Sequence, residues 1–333
     1  MAFQSSLRGV ALVVIPIVAF VIYMCVGKYP LNPLQALTLL VNHREGLEHS
    51  VEYTVFFNVR LPRAIMAILF GAVMGVSGAT LQTLFRNPLV SPYTLGISSG
   101  AAFGAALSLA LGLYGLSVEA SALVFSIFAL LLVLGISRVR GGFSPISIVL
   151  AGIIVSALFQ GALMLIQIAV DPMRLAGIVG WIAGRLYEAS WNHVFMSTPL
   201  ALAGLLGLIM LRWRIFVLSL GDEEAKALGV SVIKERLIII LLSCLAVSAV
   251  VAVVGIIGWI CLIAPHIARL IGGPNPRGLL PMSASVGASF LLLADALART
   301  IWIYEVPVGI IATFIGAPLF LHLLKRSTQI FGV

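Results

Sequence analysis

The 333-residue chain is 61% hydrophobic and only 10% charged, against roughly 45–50% and about 25% in ordinary soluble domains, which excludes a water-soluble globular fold. Its formal net charge of +8 comes from basic residues scattered between apolar stretches, with no aromatic-interleaved patch, and this excludes a nucleic-acid surface. Cys25, Cys244 and Cys261 lie in apolar stretches without metal-ligand spacing and read as small packing residues.

A bilayer core of about 30 Å takes about 20 apolar residues per helical crossing. Hydropathy and helix breakers together predict spans near 9–26, 64–83, 93–112, 118–137, 145–170, 193–211, 237–254, 257–270, 280–298 and 307–324. The first is preceded only by Arg8 and followed by Gly27-Lys28-Tyr29-Pro30 rather than a small-x-small cleavage site, so it reads as a retained span. The eighth is short and is expected to break at Pro265. The fold class is therefore all-α: a polytopic membrane protein of about ten helices, a single transmembrane domain over 1–333. Both termini then lie on one side.

Cytoplasmic loops should hold most of the Lys and Arg. With the termini inside, 13 basic residues fall inside and 7 outside, the outer set being Lys28, Arg44, Arg60, Arg63, Arg174, Arg185 and Arg299. This favours cytoplasmic termini. Residues 27–62 are expected to lie along the outer membrane surface. Between spans five and six, Leu175, Ile178, Val179 and Ile182 recur at helical spacing within Pro172–Glu188, which predicts a short amphipathic surface helix. In span two, Gly71, Gly75 and Gly78 share one stripe, the pattern that lets helix backbones approach closely in lipid.

Two non-membrane segments stand out. Leu84 to Gly96 interrupts the helical pattern twice with proline, at Pro88 and Pro92. The inner segment 212–236 contains Leu220-Gly221-Asp222-Glu223-Glu224-Ala225-Lys226-Ala227-Leu228-Gly229-Val230. Asp222 reads as an N-cap, Glu223 and Glu224 suit the positive end of the helix dipole, and Gly229 reads as the stop. Ala225 and Leu228, three apart, predict a small exposed apolar face suited to a groove on another protein.

The stretch Arg60-Leu61-Pro62-Arg63, then Gly71 to Ala101 (GAVMGVSGATLQTLFRNPLVSPYTLGISSGA), Glu223 to Val230 (EEAKALGV), Gly255 to Arg269 (GIIGWICLIAPHIAR), Leu291 to Arg299 (LLLADALAR) and Glu305 to Phe320 (EVPVGIIATFIGAPLF) resemble, in order, the FecCD-type permeases of ABC importers for iron-siderophores, haem and cobalamin. The resemblance implies a homodimer in the cytoplasmic membrane of a bacterium or archaeon. It implies two cytosolic ATPase subunits below and a periplasmic or lipid-anchored substrate-binding protein above. Asp222, Glu223, Glu224, Ala225, Leu228 and Gly229 would then belong to the coupling helix that sits on the ATPase. Arg60, Arg63 and Arg299 would meet acidic residues of the binding protein. Asn87 and Leu89 would narrow the cytoplasmic end of the pathway, with Pro145 and Ile146 at a second constriction, where they are more apolar than the small polar residues of the family. Pro265-His266 would be a structural element rather than a ligand site.

Gln160, Met164 and Gln167 fall at i, i+4 and i+7 of span five. They are the candidate pathway wall, unless the two glutamines bond neighbouring helices. No metal or cofactor is expected on this chain. It has no G-x-x-x-x-G-K-[ST] sequence, so ATP and magnesium would be used by the partner subunit. The alternatives are the same architecture carrying an oxyanion such as molybdate or tungstate, and an ion-coupled secondary transporter. The latter usually keeps ionisable groups near mid-membrane, whereas Asp295, Arg299 and Arg269 fall near predicted span ends. An intramembrane enzyme would need a paired acid or a Ser/His constellation, which the spans do not offer.

Overall fold

The computed structural model describes residues 2–29, 32, 38, 50–138 and 144–331, with the side chains of 2–8, 324 and 326–331 excepted. Among them there are helices and no strand. In chain order they are α1 (Ala2–Cys25), α2 (Val51–Leu84), α3 (Ile97–Ala110), α4 (Leu116–Ile136), α5 (Pro145–Ala169) and the short α6 (Pro172–Ile182). There follow α7 (Trp191–Met210), α8 (Arg212–Leu220), α9 (Asp222–Ala227), α10 (Val232–Val254), α11 (Ile260–Gly272), α12 (Pro276–Ala298) and α13 (Val308–Phe331). Six of these, α2, α4, α5, α7, α10 and α12, are long and apolar enough to cross a membrane; α1, α3, α11 and α13 carry shorter apolar stretches. Each corresponds to one span expected from hydropathy.

α2 is the central post. Its apolar window is 83% buried, against 28% for that of α5, because α12, α11, α10 and α7 all lean on it. The glycine stripe makes this possible. A Cβ at Gly71 would lie 2.3 Å from Gly287 O, at Gly75 2.1 Å from Ser283 O, and at Gly78 2.1 Å from Cys261 O. α12 and α11 thus touch the α2 backbone directly, the mode of association available where lipid supplies no hydrophobic drive.

Two expectations are corrected. Residues 51–62 do not lie along a surface: Val51–Leu84 is one 34-residue helix, about 51 Å long at the α-helical rise, with a π-helical stretch at Thr54–Arg60. Within the expected surface segment, residues 30–31, 33–37 and 39–49, Arg44 among them, lie outside the described residues. The break near span eight is not at Pro265. It is the non-helical run 255–259, where Gly255 (φ 81°) and Trp259 (φ 70°) both take positive φ, and Pro265 sits inside α11. A proline deprives the carbonyl four residues back of its donor. Here that carbonyl, Cys261 O, accepts from Gln82 Nε2 at 3.2 Å, across the close approach at Gly78.

α6 forms where an amphipathic helix was predicted. Asp171 caps it, accepting from the Met173 and Arg174 amides at 3.0 and 3.1 Å. These backbone bonds, Arg174 first, hold the Asp171 carboxyl below its ordinary pKa. Ile178 is buried as expected, but Val179 is exposed and Trp181 is the second buried anchor.

Candidate functional site

The chain has two polar ends, one carrying α9 and the other carrying the start of α2 and the end of α12. At the α9 end, α2 stops in a Schellman turn: Asn87 N donates to Gln82 O (3.1 Å) and Arg86 N to Thr83 O (3.3 Å). The left-handed residue this motif needs is Arg86, with φ 50°, where glycine is usual. An L-residue pays about 1–2 kcal/mol for that conformation. Asn87 Oδ1 then accepts from Leu89 N at 2.9 Å, fixing the loop. Ser91 caps the 3-10 turn Pro92–Leu95, and Tyr93 OH donates to Ile257 O at 2.7 Å, tying the loop to the broken run before α11.

The two expected constrictions meet. Phe85, Asn87 and Val90 from the loop and Pro145, Ile146, Val149 and Leu150 from the start of α5 line one cavity of about 220 Å³. α5 begins there because Ser144 accepts from Ser147 N (3.1 Å) and Pro145 occupies the first turn. Leu89 is exposed beside this cavity and does not line it. Beyond the cavity α5 presents an exposed face carrying Gln160 and Met164, with Gln167 half-buried. Neither glutamine side chain has a hydrogen-bond partner among the described residues.

α9 also departs from the expectation in detail. Gly221 precedes it with φ 149°, and Asp222 is its first residue rather than its cap. Asp222 Oδ1 instead accepts from Arg236 Nη2 of α10 at 2.7 Å and lies 3.9 Å from Arg86 Nη2. Gly229 ends the helix as expected, with φ 76°, Val230 N donating to Ala225 O and Gly229 N to Lys226 O, both at 2.9 Å. Ala225 is fully buried, so the predicted exposed pair reduces to Leu228, which is 55% exposed. Glu223 and Glu224 of the same helix are also exposed, and Glu223 accepts from Lys226 Nζ at 2.9 Å, a bond that raises the Lys226 pKa.

The three arginines expected on an exposed docking surface are buried instead, at 3%, 4% and 5% exposure for Arg60, Arg63 and Arg299. Arg63 grips both oxygens of the fully buried Asp295 at 2.7 and 2.8 Å and reaches Glu305 at 2.8 Å. Arg60 donates to Met24 O at 2.5 Å and to Tyr29 O. Arg299 donates to Tyr23 O and lies 3.9 Å over the Tyr23 ring, while Tyr23 OH donates to Asp295 at 2.9 Å. Arg63 is thus paired with acids of the chain, Arg60 and Arg299 are bonded to its backbone carbonyls, and together they fasten α1, α2 and α12.

Sequence reasoning missed a second polar cluster at that end. Glu119 is buried in the first turn of α4, with His193 Nε2 at 3.0 Å and Arg185 Nη2 at 3.5 Å. They line a cavity of about 450 Å³ beside α6. His193, isolated in sequence, has its partner 74 positions away. His266 packs edge-on against Phe320 with ring centroids 6.0 Å apart. Among the described residues no group of His, Cys, Asp and Glu is arranged to hold a metal ion.

The FecCD transport family matches residues 14–326. The chain belongs to that family. It is 38% identical to the molybdate import system permease protein MolB of Haemophilus influenzae, over 98% of each protein. It is also 38% identical to the hemin transport system permease protein HmuU of Yersinia pestis, over 83% of this chain and 84% of that one. A solved structure of a metal-chelate type ABC transporter in an inward-facing conformation superposes with a TM-score of 0.85 at 35% identity, covering 95% of this chain and 97% of the other. This FecCD permease is thus a multi-pass membrane subunit of an ABC importer.

Proposed function

We propose that this permease imports a metal chelate of the iron-siderophore, haem or cobalamin class, working as a homodimer with its α9 end in the cytosol. The second copy covers the exposed face of α5, and Gln160, Met164 and Gln167 wall a pathway along the twofold axis. One observation carries this reading: two amides without partners project from an otherwise apolar face that begins at the constriction cavity. Facing lipid, each would cost several kcal/mol of unsatisfied hydrogen bonding; facing a hydrated pathway, neither does.

In this scheme the 85–96 loop and the Pro145–Ile146 start of α5 close the cytosolic end. One of two separate ATPase subunits seats against Leu228, and its nucleotide-driven closure biases the dimer between inward-open and outward-open states. A periplasmic or lipid-anchored binding protein delivers substrate at the other end.

A second reading, an oxyanion cargo, is favoured by the 38% identity to MolB over 98% of both proteins. Uptake into proteoliposomes holding the permease, its ATPase and its binding protein separates them. ATP-dependent accumulation of ferric siderophore, haem or cobalamin supports the first reading. Accumulation of molybdate or tungstate instead supports the second, and uptake driven by an ion gradient without ATP refutes both.

A further inference from the structure

We propose that the Arg86–Asp222 contact is the link through which α9 moves the constriction loop. The proposal rests on the coupling reading of α9 and adds to it the residues that carry the motion. Arg86 stands immediately before Asn87, which lines the constriction cavity, and it occupies the left-handed position of the turn at φ 50°. Glycine would make that turn without strain, so the turn itself gives no reason for an arginine. The guanidinium does: Nη2 lies 3.9 Å from Asp222 Oδ1, the first residue of α9.

That same oxygen is held at 2.7 Å by the buried Arg236 of α10. Asp222 therefore moves with α9 and the start of α10 as a unit, and the loop meets this unit through the longer contact. A shift of α9 by an ångström or two would shorten the Arg86 contact to a direct ion pair or dissolve it, while the Arg236 bond persists. Both partners are about half exposed, with side-chain exposures of 51% and 40%, so the pair adds little to static stability. Its effect belongs to the coupling of the two positions.

The test compares wild type, Arg86→Gly, Arg86→Lys, Asp222→Asn and the double variant Arg86→Gly/Asp222→Asn in proteoliposomes with ATPase and binding protein. The readout is substrate moved per ATP hydrolysed, using whichever of ferric siderophore, haem, cobalamin or molybdate the wild type accumulates. Arg86→Gly removes the contact and relieves the turn, so it should melt no lower than wild type and still hold the ATPase. It should nevertheless move roughly two- to fivefold less substrate per ATP. Arg86→Lys should recover part of this, and the double variant should fall no further than Asp222→Asn alone, which already removes the Arg86 contact together with the Arg236 ion pair. A wild-type ratio in Arg86→Gly, or additive losses in the double variant, would overturn the link. Wild-type proteoliposomes without ATP-driven uptake would overturn the coupling reading of α9 beneath it.

Discussion

Replacing Gly75 with alanine tests the direct contact of α2 and α12. The added Cβ would sit 2.1 Å from Ser283 O, whereas carbon and carbonyl oxygen meet comfortably at about 3.3 Å. The helices must therefore part by ~1.2 Å, or the α12 backbone must bend. The obstruction is backbone, so no rotamer change relieves it, and the overpacking cost lies toward the upper end of about 1–3 kcal/mol. The neighbouring approach at Gly71 opens as well and forfeits dispersion along the seam. Alanine returns about 1 kcal/mol of helix propensity, which leaves a net loss of about 1–2 kcal/mol. Gly135→Ala is the control: it lies in α4 with nothing within 4 Å of its would-be Cβ, so it gains the propensity without the clash. Thermal melting of detergent-solubilised protein, followed by fluorescence size exclusion, should show Gly75→Ala several degrees below wild type and Gly135→Ala level with it or above. A Gly75→Ala protein that melts at or above wild type would refute backbone-to-backbone packing as the organising contact of the fold.

Asp295→Asn leaves the buried Arg63 without its main counter-charge and should cost about 3–5 kcal/mol, seen as lost monodispersity; Arg63→Leu/Asp295→Leu should recover much of it, and a stable single variant would contradict the ion pair's structural role. Leu228→Asp places a charge on the exposed tip of α9 and should release the ATPase during co-purification while the permease still melts as wild type; a complex that survives purification would argue against α9 as the seat. The cap at Asp171 has a folded pKa held low by its backbone bonds, so its contribution is complete above the unfolded value of about 3.9 and is lost as pH falls through the folded pKa. Amide exchange in α6, corrected for intrinsic rates, should accelerate in that acid range for wild type, and Asp171→Asn, which does not titrate, should show no such step.

Hydropathy made all ten apolar helices legible, because a run of apolar residues in a membrane protein has few structures open to it. It failed where polar residues continue a helix. Val51-Glu52-Tyr53-Thr54-Val55-Phe56-Phe57-Asn58-Val59-Arg60, interrupted by Glu52, Asn58 and Arg60, falls outside the predicted span, yet it extends α2, with Phe56 and Arg60 buried. Pro265 misled for the opposite reason. Its missing amide is a breaker only if Cys261 O goes unsatisfied, and Gln82, 179 positions away, satisfies it. No local rule contains that fact.

The site shows the same division. Asn87, Pro145 and Ile146, expected at two separate constrictions, line one cavity, and each stands at a helix end marked by proline and by a polar residue that bonds backbone: Asn87 itself after α2, and Ser144 before α5. The arginines did not follow, because the charge rule counts basic residues without knowing their partners. Arg63 lies 232 positions from Asp295 and 242 from Glu305, and Arg60 and Arg299 turn to backbone carbonyls that no sequence pattern advertises. A charge on the unexpected side of a membrane protein has two physical explanations, a partner outside the chain or an acid within it. At 5% side-chain exposure for Arg63 and 0% for Asp295, Arg63 is an instance of the second. The opposite holds for Arg86, which stands half exposed in a strained turn with its counter-charge 3.9 Å away. Arg63, bonded on both sides to buried Asp295, holds its helices in place, whereas Arg86, left short of its counter-charge, is free to act when that charge moves.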